Sequence, residues 1–280
     1  MQNRPIITLT TDFGLHDHFV GTIKGVILNI APEAEIVDIS HAVSRFDVID
    51  GALTVAAAYS YFPSGTVHLV VVDPGVGSAR RPIIATTDRY DFVAPDNGVL
   101  SMIYSHQERL CVRSITAEHY FLRPVSQTFH ARDVFAPAAA YLAKGVAPPK
   151  FGDEISDYVR LNLPRPQQVD PLVLRGTVLR VDHFGNLITN IMPKDSPALT
   201  QLGWAQLKIL VGEREIAGMR SAYAEGGPDE VFGILGSMGY LEIVANQASA
   251  AQILAAGKGC TVDLVLRNPA GAAAGNPASK

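Results

Sequence analysis

HLVVVDPGVGSARR, residues 68–81, joins an unbroken apolar run to an acid, a proline, two glycines and two arginines. Val and Leu in a short continuous run suit a strand covered on both faces, so the stretch from His68 to Val72 predicts a buried strand. Asp73 then falls at the carboxyl end of that strand, where open α/β sheets carry their ligands. Gly75 and Gly77 let a ligand approach the backbone because they have no Cβ. An Asp-Pro-Gly turn is also ordinary punctuation after a strand, so a site at Asp73 requires partners elsewhere in the chain.

Residues 5–10 predict a short apolar strand that runs into TTDFGLHDHFVGTIKGVILNIAP, where Val20, Ile23, Val26, Ile27 and Ile30 share one face at helical spacing before Pro32. A second strand is expected over 35–39 and an Ala-rich helix over 47–61. Two strands over 83–87 and 90–94 flank a turn at Asp88, and 98–104 begins another helix. FHARDVFAPAAAYLAKG, residues 129–145, predicts a loop entering an Ala-rich helix that ends near Gly145. Strands alternating with helices predict an α/β fold with a mostly parallel, Rossmann-like sheet and flanking helices.

The segment 146–171 carries APP, LPRP and DP and suits an extended connector. Beyond it, 172–182, 205–211, 231–235, 240–245 and 261–266 are short strand-like runs that predict a smaller, strand-rich, barrel-like domain. The expected organisation is an N-terminal α/β domain over 1–165, a C-terminal β-rich domain over 172–268, and a disordered Ala/Gly/Pro tail over 269–280.

Composition sets outer bounds. With 280 residues, 48% of them hydrophobic and 18% charged, the chain can bury a sizeable core. A formal net charge of −4 and the lack of a Lys/Arg cluster argue against nucleic acid as a partner. Cys111 and Cys260 have no CxxC spacing, which predicts two isolated thiols in a reducing cytoplasm. No apolar run approaches the length of a membrane span, so a soluble protein without a membrane partner is expected.

Three general chemistries fit poorly. The first loop, TDFGLHDH, lacks GxGxxG, and no Walker pattern occurs. His16, Asp17 and His18 cluster near Asp12, with His130 and Asp133 elsewhere, but adjacent loop residues point apart and no HExxH spacing exists, so no metal site is expected. No GxSxG elbow appears and neither Cys has polar activators beside it. What remains are dispersed residues at strand ends: Asp12, Asp73, Arg80, His130 and the DHFGN run over 182–186. Asp12 suits ribose hydroxyls at the end of a first strand, or simply a helix cap.

Six ordered motifs carry a family resemblance: TTDFGLHDHFVGTIKG (10–25), VVDPGVGSARR (71–81), APDNGVL (94–100), TFHARDVFAPAAA (128–140), DHFGNLITNI (182–191) and GSMGYLEI (236–243). Together they resemble the S-adenosyl-L-methionine (SAM) hydroxide adenosyltransferases, relatives of the fluorinase and chlorinase enzymes. The resemblance implies hydrolysis of SAM to adenosine and methionine by water or hydroxide at ribose C5′, with SAM as substrate and no cofactor. The family's Asp, Arg and His triad falls on Asp73, Arg80 and His130. A carboxylate and an imidazole can orient the water or accept its proton, and a guanidinium can stabilise negative charge on its oxygen. Either His130 or Asp73 could take the proton.

By the same resemblance, Asp12 binds the ribose and Phe46 closes over the nucleoside, although a core Phe would serve the sequence equally well. Asp182 pairs with the methionine ammonium, Phe184 and Tyr223 flank adenine, and Asn186 reads its edge. Ser237 holds the methionine carboxylate, with Met238 where the halogenases have Arg, and Glu242 joins this group from a strand. The fluorinase-like relatives lack the pairing of Asp73 with His130 and insert a loop after the Arg81 region, which RRPIIATTDRYDFVAP does not have. Water is therefore expected in preference to halide. The alternatives are a halogenase of the same superfamily, a non-catalytic SAM or adenosine binder, and a metal-dependent hydrolase built on His16 to His18. The resemblance also implies a homotrimer whose sites lie between the first domain of one subunit and the second domain of its neighbour.

Overall fold

The computed structural model describes residues 4–195 and 207–266, which fall into two compact units divided between Asn162 and Leu163. The first unit is an α/β sandwich. Its strands are β1 (Ile6–Thr11), β2 (Glu35–Ser40), β3 (Val67–Val71), β4 (Pro82–Thr87), β5 (Asp91–Pro95) and β6 (Leu110–Ser114). Its helices are α1 (Phe19–Ile30), α2 (Val48–Ala58), α3 (Ser101–His106) and α4 (Ala136–Ala143). The sheet order is β2-β1-β3-β5-β4-β6. Neighbours from β2 to β5 are parallel, and β4 runs antiparallel to both β5 and β6. The mostly parallel sheet read from the alternation of elements is present, with one reversed strand supplied by the Asp88 hairpin.

The apolar run of β3 is continuous because both of its faces are covered. Leu69 and Val71 join one core with Ile23 and Ile27 of α1 and Ala138 and Ala139 of α4. Val70 and Val72 join the other, with Val55 of α2 and Ile103 of α3. The period of two along a strand sends successive side chains to opposite layers, so from Leu69 onward every position is apolar until Asp73. Gly51 of α2 fits this end of the strand: a Cβ there would lie 2.9 Å from Cγ2 of Val72.

Several elements depart from expectation. The α2 helix ends at Ala58 and continues as one 3₁₀ turn, Tyr59–Tyr61. The edge strand β6 was not anticipated, because LCVRS mixes Arg and Cys into a short segment. The Pro-rich segment read as a connector is partly built into the first unit: Phe151 is fully buried, the Ile155 N–H bonds to the Val112 carbonyl, and the Val159 N–H bonds to Asp96.

The second unit comprises β7 (Gln167–Asp170), β8 (Val173–Val181), β9 (Leu187–Thr189), β10 (Leu207–Val211), β11 (Arg214–Ile216), β12 (Val231–Leu235), β13 (Leu241–Ala245) and β14 (Thr261–Leu266), with helix α5 (Ala250–Leu254). The strands form one antiparallel sheet ordered β11-β10-β14-β8-β9-β13-β12, with β7 beside β8. The chain after β11 pairs with β12: the Ala217 N–H bonds to the Val231 carbonyl and the Gly233 N–H to the Gly218 carbonyl. That pairing nearly closes the sheet into a barrel around Leu174, Val178, Ile209, Ile243 and Leu264. The expected tail over 269–280 and the start of the expected strand over 205–211 lie outside the described residues.

Candidate active site

Asp73 leaves the end of β3 into a tight turn in which the Val76 N–H bonds to the Asp73 carbonyl and the Ser78 N–H to the Gly75 carbonyl. Gly77 takes φ +78°, and a Cβ there would overlap the Gln127 carbonyl oxygen. This is the one position in the turn that requires glycine twice over, for its backbone angle and for the loop against it. The turn brings Arg80 back onto Asp73. Nε of Arg80 donates to Oδ1 at 3.0 Å and Oδ2 at 2.9 Å, and Nη2 donates to Oδ2 at 2.5 Å. Both side chains are nearly buried, at 8% and 5% exposure.

His130 arrives from the other side. It precedes a π-helical turn, Ala131–Phe135, that runs into α4, a distortion often found where a helix serves a site. Nη2 of Arg80 lies 2.7 Å from Nδ1 of His130, and the guanidinium sits over the Phe135 ring, 5.0 Å from its centroid. Burial and the Arg80 cation hold His130 below the usual imidazole range, outweighing the Asp73 and Asp133 carboxylates. Asp133, fully buried, ties down the approach: it accepts the Ser126 N–H at 2.8 Å and pairs with Arg132.

Asp12 follows β1 directly. Its carboxylate accepts the Phe46 N–H at 2.8 Å, and burial raises its pKa despite that bond. It does not cap α1, whose N-cap is His18 with no side-chain bond. Phe46 is not a core residue either, being 71% exposed with φ +64°. Asp12, Phe46, Asp73 and His130 line one cavity of about 300 Å³, together with Phe13, Phe19, Arg45, Val76, Thr128 and Phe129. Arg80 stands behind Asp73 and His130 rather than in the lining. Sequence reasoning missed the aromatic wall of Phe13, Phe19 and Phe129, in which the Phe129 ring meets the other two edge to face; the closely spaced Phe13 and Phe19 in the first motif were the available signal.

The remaining predicted residues lie in the second unit. Phe184, Asn186 and Tyr223 line a cavity of about 540 Å³ with Ala245, Asn246, Gln247, Ala248 and Ser249. Asp182 is largely occupied within its own loop: Oδ1 accepts the Phe184 and Asn186 N–H groups and Oδ2 accepts Nδ2 of Asn186, all at 2.9 Å. Among the described residues, those bonds leave Oδ1 as the side-chain acceptor that Asn186 still has to offer. Ser237 is exposed in the β12–β13 turn and Glu242 is half-buried on β13, neither lining the cavity. Burial, then the neighbouring Asp182, pushes the Glu242 carboxyl up, and Tyr223 is raised by burial and by both acids. The loop Asn246 to Ser249 was missed because polar loop residues carry no periodicity. Among the described residues no group of three or more His, Cys, Asp or Glu could hold a metal ion; His16, Asp17 and His18 are exposed.

A cavity at the carboxyl ends of parallel strands, faced by a carboxylate and an imidazole that one buried arginine holds, defines an α/β enzyme with an appended barrel. The chain belongs to the SAM hydroxide adenosyltransferase family, whose N-terminal domain matches residues 7–152 and whose C-terminal domain matches residues 176–263. It is 35% identical over 271 residues to a Thermus thermophilus protein named (R)-S-adenosyl-L-methionine hydrolase, covering 94% of this chain and 100% of that one. A fluorinase from Nocardia brasiliensis is 29% identical over 279 residues, covering 89% and 92% respectively. The crystal structure of an uncharacterized conserved protein from Thermotoga maritima superposes with a TM-score of 0.85 at 36% identity, over 92% of this chain and 99% of that one.

Proposed function

We propose that the protein hydrolyses SAM to adenosine and L-methionine, a water molecule attacking ribose C5′ opposite the sulfonium. The observation that carries this reading is the single cavity in which Asp73 and His130, both bonded to Arg80, face the same space as the Asp12 carboxylate. Sulfur leaves as a neutral thioether and needs no acid. Catalysis then rests on excluding bulk water, holding one water in line with the C5′–S bond and accepting the proton it gives up. Asp12 would take the ribose hydroxyls, with Phe46 over the nucleoside.

In the second unit, Phe184 and Tyr223 would flank adenine and Oδ1 of Asn186 would accept from its amino edge. Asp182 and Glu242 would meet the methionine ammonium, and Ser237 its carboxylate. A halide in place of water would face the Asp73 carboxylate, which disfavours the halogenase alternative. The preference named for the Thermus thermophilus relative, the (R) form of the substrate, is extended to this chain. The working assembly is a homotrimer in the cytoplasm; its mass in solution, measured by light scattering, tests the first part of that statement.

The purified protein, given SAM in ¹⁸O-water without added halide, is expected to release methionine and adenosine labelled at the 5′-oxygen. Supplying each sulfonium epimer separately tests the preference for the (R) form. Absence of adenosine, or a halide requirement with a 5′-halogenated product, would overturn the proposal.

A further inference from the structure

The bond between Arg80 and His130 restricts the direction in which a proton can move in the first unit's cavity. A guanidinium has five N–H donors and no acceptor. At 2.7 Å from Nη2 of Arg80, Nδ1 of His130 must therefore accept and carry no hydrogen. The ring is neutral, with its one hydrogen on Nε2. For Nε2 to act as a base, the hydrogen would have to sit on Nδ1, setting two N–H groups face to face against an arginine side chain that is only 8% exposed.

The two groups facing the cavity thus have opposite capacities. With its Nδ1 edge turned to Arg80, His130 offers a ligand the Nε2–H, a donor. Asp73 offers only acceptors. Its Oδ2 takes Arg80 N–H groups at 2.5 and 2.9 Å, whereas Oδ1 shares only the Nε–H at 3.0 Å, so Oδ1 has the spare lone pair.

We propose that Oδ1 of Asp73 accepts the proton of the attacking water while His130 acts as a hydrogen-bond donor to that water's oxygen and never as a base. Arg80 is then a positioning residue that sets both roles without touching the substrate. The inference rests on the SAM-hydrolysing reading and assigns its proton path. The water oxygen forms its bond to C5′, and the C5′–S bond breaks with its electron pair leaving on sulfur. The oxygen, now bonded to carbon and positively charged, passes a proton to Asp73, and solvent takes that proton when adenosine departs. A carboxylate is a poor base toward free water. It is sufficient here, because an oxygen already bonding to carbon is far more acidic than free water. Proton transfer therefore follows C–O bond formation.

Conservative variants separate the roles. Gln places an amide N–H near the Nε2 position and has no basicity near neutral pH, so His130→Gln is expected to keep kcat within about tenfold of wild type while His130→Ala loses about 10²-fold or more. Asp73→Asn keeps the shape, loses the acceptor, and is expected to fall about 10³-fold. His130→Gln as inactive as His130→Ala, or Asp73→Asn retaining more than a tenth of wild-type kcat, would overturn the proposal. A measurement on the unmodified protein covers variants that fail to fold: long-range ¹H–¹⁵N spectra should show His130 protonated at Nε2 alone, and the opposite tautomer or an imidazolium would be fatal. If wild type forms no adenosine from SAM, the functional reading has failed, and the tautomer is still decided by the spectrum.

Discussion

Phe46 holds a backbone angle that few residues tolerate: at φ +64° its Cβ crowds the carbonyl, at a cost of about 1–2 kcal/mol. With the side chain 71% exposed, burial does not repay that strain. The bond from its N–H to Asp12 holds the angle instead, so the carboxylate read as a ribose ligand also shapes the wall of the cavity. A strained, exposed aromatic on a cavity wall makes Phe46 a candidate ligand contact. Phe46→Gly should accordingly change folding stability by less than about 1 kcal/mol, since relief of strain is offset by the greater freedom of Gly in the unfolded chain. KM for SAM should rise about tenfold, the equivalent of about 1.4 kcal/mol of lost ring contact. Thermal unfolding and steady-state kinetics measure both, and an unchanged KM would remove Phe46 from the site.

At the level of elements, the site depends on two loops that meet, the turn after β3 and the approach to His130, in contact at Gly77 and Gln127. Gly77→Ala forces a side chain onto the Gln127 carbonyl at φ +78°, a strain of about 1–2 kcal/mol before any overlap is counted. Because both loops are exposed, they should part before the core does. The expected outcome is a fall in kcat/KM of more than tenfold with a Tm lowered by only a few degrees; equal activity would show that the turn's position is unimportant. Much of this architecture is legible in the chain, because the run into Val72 and the helical spacing of Val20, Ile23 and Ile27 record burial directly. Strands of three residues, β9 and β11, are too short to show a period, and the edge strand β6 needs only one apolar face. The meeting of Arg80 with His130, 50 positions apart, follows from strand order, which local pattern does not encode. Only the family resemblance joined those residues beforehand. The tautomer of His130 was legible in neither, since it depends on a single side-chain contact.

At the scale of the molecule, acid stability should be governed in part by a histidine outside the site. His68 on β3 is fully buried, with Nδ1 2.7 Å from the Thr8 hydroxyl and its ring stacked on Phe92 at 4.9 Å among Tyr59, Phe62 and Tyr90. Among the described residues Nε2 is buried without a partner, so a second proton would place an unpaired N–H and a charge inside an aromatic cage. Burial accordingly lowers the pKa of His68 to about 3. In the unfolded chain the same ring titrates near its usual value, about 6.5. Between these limits the unfolded state binds the extra proton, so the contribution of His68 to stability is complete above about pH 6.5 and is lost as pH falls toward 3. The limiting slope is about 1.4 kcal/mol per pH unit. His68→Leu removes this term while leaving the carboxylates that also respond to acid. Urea unfolding followed by circular dichroism from pH 7 to pH 4 should show the variant less stable at neutral pH, because Thr8 loses its partner, but with a shallower dependence, so that the two curves converge as pH falls. Parallel curves would mean that His68 is protonated in the folded protein and that its cage tolerates the charge.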